Sequence, residues 1–336
     1  MRQRARMLAV CRRAGEDAGP SGAEYAMAEQ QILAAGHRQR RHALLPYVLL
    51  ALCMFFWASN WIVGRALHDT ITPAAINFWR WGLATVLLLP FSWTQVRRSW
   101  PLIRHHWLLM LLFGATGAGW FHLLIYTGLR HTEVINAVLL NSASPVTFVI
   151  LSWLWHRETI TWRQMLGIAI SFLGIFTIMA RGDPTMLLHL TINYGDLLIL
   201  LALPIWTFYS VLLRKRPAGI GDLAFLQVIS TVAALSVLPF YLWDVAHGVV
   251  TPFDATTIAC FLYIAVFASL VAYIFWNRAV AEVGANMAGF TSHLMPAFGA
   301  ALAIVILHEQ AYPYHAAGIA LILAGVFLST TQGKRA

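Results

Sequence analysis

The stretch "NFWRWGLATVLLLPF" (77–91) decides what kind of protein this is. It is apolar almost throughout, and the apolar run around it covers about residues 72–93. At 1.5 Å per helical residue, such a run crosses the ~30 Å hydrocarbon core of a bilayer. Comparable runs recur along the 336-residue chain, which is 59% hydrophobic, 13% aromatic and 11% charged. A soluble domain carries about 25% charged residues, so the two-domain soluble reading suggested by length is excluded. The runs do not alternate polar with apolar residues, so they are not the ~10-residue strands of a membrane barrel. The chain reads as an all-α integral membrane protein.

The same stretch also carries the internal organisation. Its tail "ATVLLLPF" (84–91) returns as "AALSVLPF" (233–240), and "WASNWIVGR" (57–65) returns as "WTFYSVLLR" (206–214), both 149 residues later. Pro145 pairs with Pro296, Glu158 with Glu309, Gly167 with Gly318 and Gly174 with Gly325, all 151 apart. Ten spans are expected, at about 45–67, 72–93, 107–129, 134–155, 161–180, 195–213, 222–243, 256–278, 284–307 and 313–331. A near-constant offset across five spans reads as duplication. The expected units are a basic, disordered cytoplasmic tail (1–43) and two five-span repeats, 44–180 and 194–332. An odd number of spans per repeat inserts the two upside down relative to each other, the inverted architecture of many secondary transporters.

Every lysine and arginine except Arg65, Arg80, Arg130 and Arg181 falls in the tail or in one set of connections. That set holds Arg97–Arg104, Arg157–Arg163, Arg214–Arg216, Arg278 and Lys334–Arg335. The positive-inside rule therefore places both termini in the cytoplasm. It also accounts for the net charge of +9 without a nucleic-acid partner. The tail is too long and too polar for a standard signal peptide, though an over-extended start would read the same way. Cys11, Cys53 and Cys260 have no metal-like spacing, and no disulfide, metal or cofactor is expected.

With these residues in view, the chain from about 45 to 331 resembles the drug/metabolite transporter superfamily with two EamA domains. The resemblance is carried by Trp57–Asn60, by Pro73 followed by "FWRWGLA", and by Pro145 leading to "HRETITWRQMLGIAISFLG" (156–174). The stretch "YGDLLILLALPIWTFYSVLLR" (194–214) opens the second half in the same manner. The resemblance implies a multi-pass permease of the bacterial inner membrane with ten helices. It further implies a central cavity lined by spans 1–4 and 6–9, peripheral spans 5 and 10 facing a partner subunit in a homodimer, and export of amino acids or other small metabolites.

Arg80 places a guanidinium among Phe78, Trp79, Trp81, Leu83 and Leu87, about 12 Å below the outer surface. A charge at such depth costs roughly 3 kcal/mol on insertion scales, so it should face the bundle interior or a ligand. Asn77 shares its helical face. Asn60 in span 1, His122 and Tyr126 in span 3 and Asn141 in span 4 fall at comparable depth. Polar groups gathered at one level are what a small-molecule site needs. Arg80 either pairs with an acidic group of the substrate or donates to helix carbonyls and Asn or Tyr side chains. Trp57 is read as cavity-lining, and His293 in span 9 as the second repeat's contribution. His122 and His293 are either carriers of a coupling proton or neutral rings bonded within the bundle.

Glu158 and Glu309, being duplicated, read as helix-end scaffold. Glu133 sits at the surface, and Pro145 and Pro296 read as mid-span kinks, hinges or packing features. "GATGAG" (114–119) mimics part of a nucleotide loop but lies in a span, so it reads as a close-packing stripe. No nucleophile elbow, paired carboxylates or Walker motif is found, so an enzyme is not expected. The leading function is a secondary transporter of a small organic metabolite. The alternatives are a drug-like amphiphile or nucleotide-sugar as cargo, or a non-transporting membrane protein.

Overall fold

The computed structural model of the chain describes residues 44–64, 67, 69–132, 137, 140, 141, 143–157, 160–180, 183, 185, 193–306 and 312–330. The expectations for the tail 1–43, for Arg65, Glu133, Glu158, Arg181 and Glu309, and for Lys334 and Arg335 lie outside the described residues.

The described chain is helical throughout. α1 is Leu44–Gly64, α2 Pro73–His105 and α3 Trp107–His131. α4 is Ser144–His156 and α5 Trp162–Met179. α6 is Tyr194–Leu212, α7 Asp222–Ala246 and α8 Ala255–Val283. α9 runs over 285–306, and α10 is Pro313–Thr330. Seven of these, α1–α3, α6–α8 and α10, are long and apolar enough to cross a membrane, and the chain is a multi-pass membrane protein. The starts follow local chemistry. Thr72 caps α2, with its side chain accepting from the Ala75 amide and Pro73 in the first turn, and Thr161 with Gln164 closes a capping box on α5.

Three departures from the sequence reading have physical causes. α2 does not stop near residue 93. It runs for 33 residues to His105, about 50 Å, so it outlasts the hydrocarbon and carries Arg97, Arg98 and Arg104 on a helix rather than in a loop. Secondly, Pro145 and Pro296 are not mid-helix kinks. Pro145 lies in the first turn of α4, directly after a turn at Ala143. Pro296 is the third residue of Leu294–Ile306, which follows a 3-10 turn, Thr291–His293, inside α9. A proline in a first turn gives up an N–H that has no helical partner anyway. Both spans are thus interrupted at corresponding places.

The third departure is in winding. α3 and α8 each contain a π-helical segment, Ala115–Trp120 and Ile264–Val271, starting 149 residues apart. The wider turn shifts side-chain register, and such bulges occur mostly at functional sites.

Helices from the two halves of the chain pack on each other: α5 along α10, and α2 along α7. Gly167 and Gly174 face Gly325 and Gly318 so closely that a Cβ on any of them would meet the opposing backbone. "GATGAG" packs as expected. Gly114 lies against Val232 and the Ile229 carbonyl, Gly117 against the Tyr209 ring and Gly119 against Ser236.

Candidate transport cavity

A small cavity, of about 40 Å³, lies between the helices. Met54, Trp57, Asn60 and Trp61 line it from α1, and Phe121, His122 and Ile125 from α3. Asn141 and Ser144 come from the break before α4, Ser292 and Met295 from the break inside α9, Trp206 from α6 and Trp276 from α8. Among the described residues that line it, none is charged. The two interrupted spans deliver polar side chains to the same space, because a broken helix can turn side chains and backbone inward that a straight one would hold against its neighbours.

The wall is built on three tryptophans. Ring centroids are 5.0 Å apart for Trp57–Trp206, 5.3 Å for Trp57–Trp276 and 5.2 Å for Trp206–Trp276. Phe121 adds a tilted ring 5.2 Å from Trp206. Hydrogen bonds fix two of the indoles: Trp57 Nε1 donates to the Ala268 carbonyl at 3.0 Å, and Trp276 Nε1 to Ser210 Oγ at 3.2 Å. Pinned edges fix how these two rings stand in the cavity wall.

Arg80 stands behind this wall and is fully buried. Its Nε donates to Ser269 Oγ at 2.5 Å, Nη2 to the Ala268 carbonyl at 2.8 Å and Nη1 to the Tyr126 hydroxyl at 3.1 Å. Its guanidinium carbon is 5.1 Å from the centre of the Trp81 ring. Both α8 acceptors lie in the π-helical segment, where Ser269 Oγ also donates to the Ile264 carbonyl at 2.9 Å. Tyr126 passes its own proton to Asn60 Oδ1 at 3.0 Å. Among the described residues no carboxylate pairs with Arg80.

The residues expected to gather do so in two layers. Trp57, Asn60, His122 and Asn141 border the cavity. Tyr126 and Arg80 form the layer behind, joined to it through Asn60. Asn77 is bonded elsewhere: its Nδ2 donates to the Gly119 carbonyl at 2.8 Å, in the π-helical segment of α3. His122 Nδ1 faces the Ala118 carbonyl at 3.0 Å in the same segment, and Tyr273 of α8 donates to the Gly117 carbonyl there. His293 is buried with its ring 5.0 Å from Phe172 on α5, and the cavity instead receives its neighbours Ser292 and Met295.

Trp206, Trp276, Phe121, Ser144, Ser292 and Met295 were not named as site residues from the sequence. Trp206 carried a signal, standing 149 residues after Trp57 in a similar stretch. The others carried none: Phe121, Trp276 and Met295 lie in runs with no polar face to mark which way is in, and serines such as Ser144 and Ser292 recur throughout the spans.

Comparison with known proteins bears on the family and the fold. The model of the EamA-like transporter family matches residues 44–180 and 193–331. An "Uncharacterized transporter" of Archaeoglobus fulgidus is 27% identical over 85% of this chain and 97% of its own. A protein of Streptantibioticus cattleyicolor, named "Probable terminal-alkyne amino-acid exporter", is 28% identical over 85% of this chain and 94% of its own. A "S-adenosylmethionine/S-adenosylhomocysteine transporter" of Chlamydia muridarum is 21% identical over 79% and 85%. A solved crystal structure superposes with a TM-score of 0.68 over 85% of this chain and 96% of that one, at 15% identity, which bears on the fold alone.

Proposed function

The chain belongs to the EamA-like transporter family, and from that premise we propose that it exports a small organic metabolite, an amino acid or related compound, by alternating access around the cavity just described. Members of this family are permeases, not enzymes. The observation that carries the finer reading is the convergence of two interrupted spans on one aromatic cavity. Asn141 and Ser144 from one break and Ser292 and Met295 from the other meet the Trp57–Trp206 pair. Interrupted segments at corresponding positions of two halves are where inverted-repeat transporters hold their cargo.

The build proposed here is ten spans in two inverted repeats, 44–180 and 194–332, with both termini cytoplasmic in a bacterial inner membrane. The 149-residue spacing of the π-helical segments, the pairing of α2 with α7 and α5 with α10, and the two separate family matches support it. The outer faces of α5 and α10 are the surfaces proposed for a homodimer.

Ligand pockets for molecules of drug size enclose about 300–1,000 Å³. The cavity here is far smaller, about 40 Å³, so it is read as the closed stage of the cycle, and cargo enters when the lining tryptophans part. Trp57, Asn60, His122 and Asn141 are the proposed ligand-facing residues. Arg80, Tyr126, Asn77 and His293 support them from behind. Any coupling proton is assigned to His122, which borders the cavity. If flux in vesicles ignores an imposed pH gradient, that role is removed. The uncharged aromatic wall favours a drug-like amphiphile as the second reading.

The reading is tested by profiling extracellular metabolites of cells with and without the protein, then reconstituting it with the compounds that change. Saturable efflux of an amino-acid-like compound is expected. Efflux of cationic dyes alone would favour the second reading.

A further inference from the structure

What the cavity offers a ligand at its Asn60 corner is decided two residues further back. A guanidinium has only donors, so the Tyr126 hydroxyl must accept from Arg80 Nη1. The hydroxyl proton is then left for one acceptor, and Asn60 Oδ1 takes it at 3.0 Å. An amide whose carbonyl oxygen is engaged in this way has its NH2 free for the cavity that Asn60 borders. Turning the amide over would set its NH2 against Tyr126 and strand the hydroxyl proton. Tyr126 and Asn60 are each 3% exposed, where a stranded donor is penalised.

The other polar groups of the lining have the other sign. The Ala118 carbonyl can only accept, so His122 Nδ1 holds a proton and Nε2 of the neutral ring is an acceptor. Asn141 turns its NH2 towards Met295 Sδ at 3.7 Å and keeps its carbonyl oxygen. Ser144 and Ser292 give their protons to the carbonyls of Asn141 and Gly289 and keep lone pairs.

We propose that Tyr126 is a positioning residue that relays the charge of Arg80 to Asn60, so that the Asn60 NH2 meets an acidic or carbonyl oxygen of the ligand while the acceptor corners meet its N–H groups. Arg80 therefore selects for an oxygen-bearing ligand without touching it. This rests on the reading of the cavity as the transport site.

The test uses two probes of one shape on purified full-length protein in nanodiscs: L-phenylalanine, and 2-phenylethylamine, which lacks the carboxylate. Binding and thermal midpoint are measured for the wild type, Tyr126→Phe and Asn60→Asp. The wild type should prefer L-phenylalanine. Tyr126→Phe should lower that preference about tenfold or more, by weakening L-phenylalanine while 2-phenylethylamine stays within about twofold. Asn60→Asp should reverse the preference, because an acceptor then faces the cavity. A Tyr126→Phe protein that weakens both probes alike, or neither, overturns the relay. If that variant does not fold, Asn60→Asp decides, and an unchanged preference for L-phenylalanine overturns it. If neither probe binds the wild type, the reading of the cavity falls together with the relay, which separates that failure from a failure of the relay alone.

Discussion

Arg80 shows how a charge is kept in a bilayer. Placing it there costs roughly 3 kcal/mol on insertion scales, and three charge-assisted hydrogen bonds offset this from a fully buried position. The bonds use the fork of the guanidinium, with Nε and Nη2 on α8 and Nη1 on α3. A lysine at this place is one point donor and reaches fewer acceptors. Thermal unfolding in detergent should therefore rank the wild type above Arg80→Lys, and Arg80→Lys above Arg80→Ala, with about 1–3 kcal/mol for each buried partner left unsatisfied. An Arg80→Lys protein as stable as the wild type would show that the fork is not used. The gathering of Asn60, Arg80, His122, Tyr126 and Asn141 was legible in the sequence, because polar residues in apolar spans are few and their depth follows from counting. Which of them would border the cavity was not legible, since that depends on the rotation of each helix, and rotation is set by packing.

At the scale of elements, the seven long apolar helices were legible as apolar runs, and the breaks before α4 and inside α9 were not. A proline in a span reads equally as a kink or a helix start, and the structure shows the start. The π-helical segments of α3 and α8 left no pattern, because a one-residue slip inside a run of mostly small and apolar residues leaves the hydropathy profile almost unchanged. Yet they carry the carbonyls that Arg80, Trp57, Asn77 and Tyr273 hold. Ser269→Ala removes both the Arg80 Nε acceptor and the hydroxyl bond to the Ile264 carbonyl. It should destabilise by about 1–3 kcal/mol, and faster amide exchange should be confined to 264–271. Exchange rising evenly over the whole chain would contradict a local role. The α5–α10 contact gives a second comparison. A Cβ on Gly318 would lie 2.7 Å from the Gly174 carbonyl oxygen, whereas one on Gly82 meets nothing within 4 Å. Gly318→Ala should therefore cost about 1–3 kcal/mol, and Gly82→Ala should be neutral or stabilising by up to about 1 kcal/mol. Thermal midpoints of the two variants check this directly.

The whole molecule is a multi-pass permease whose proposed orientation rests on charge. Arg97, Arg98, Arg104, Arg214, Lys215 and Arg216 lie on the side assigned to the cytoplasm. A fluorescent protein fused after residue 331 should fold and fluoresce, and alkaline phosphatase fused there should stay inactive; the reverse result would invert the topology. The central claim is that the cavity walled by Trp57, Trp206 and Trp276 is where cargo sits. The direct measurement is counterflow of radiolabelled amino acids in proteoliposomes, comparing wild type, Trp57→Ala, Trp206→Ala and the control Gly82→Ala, whose added methyl meets open space, each shown to be folded. Losing one of three mutually packed rings should lower flux by about tenfold or more in both tryptophan variants and leave Gly82→Ala at the wild-type rate. Full flux from a folded Trp57→Ala and Trp206→Ala double variant would contradict the assignment of the cavity.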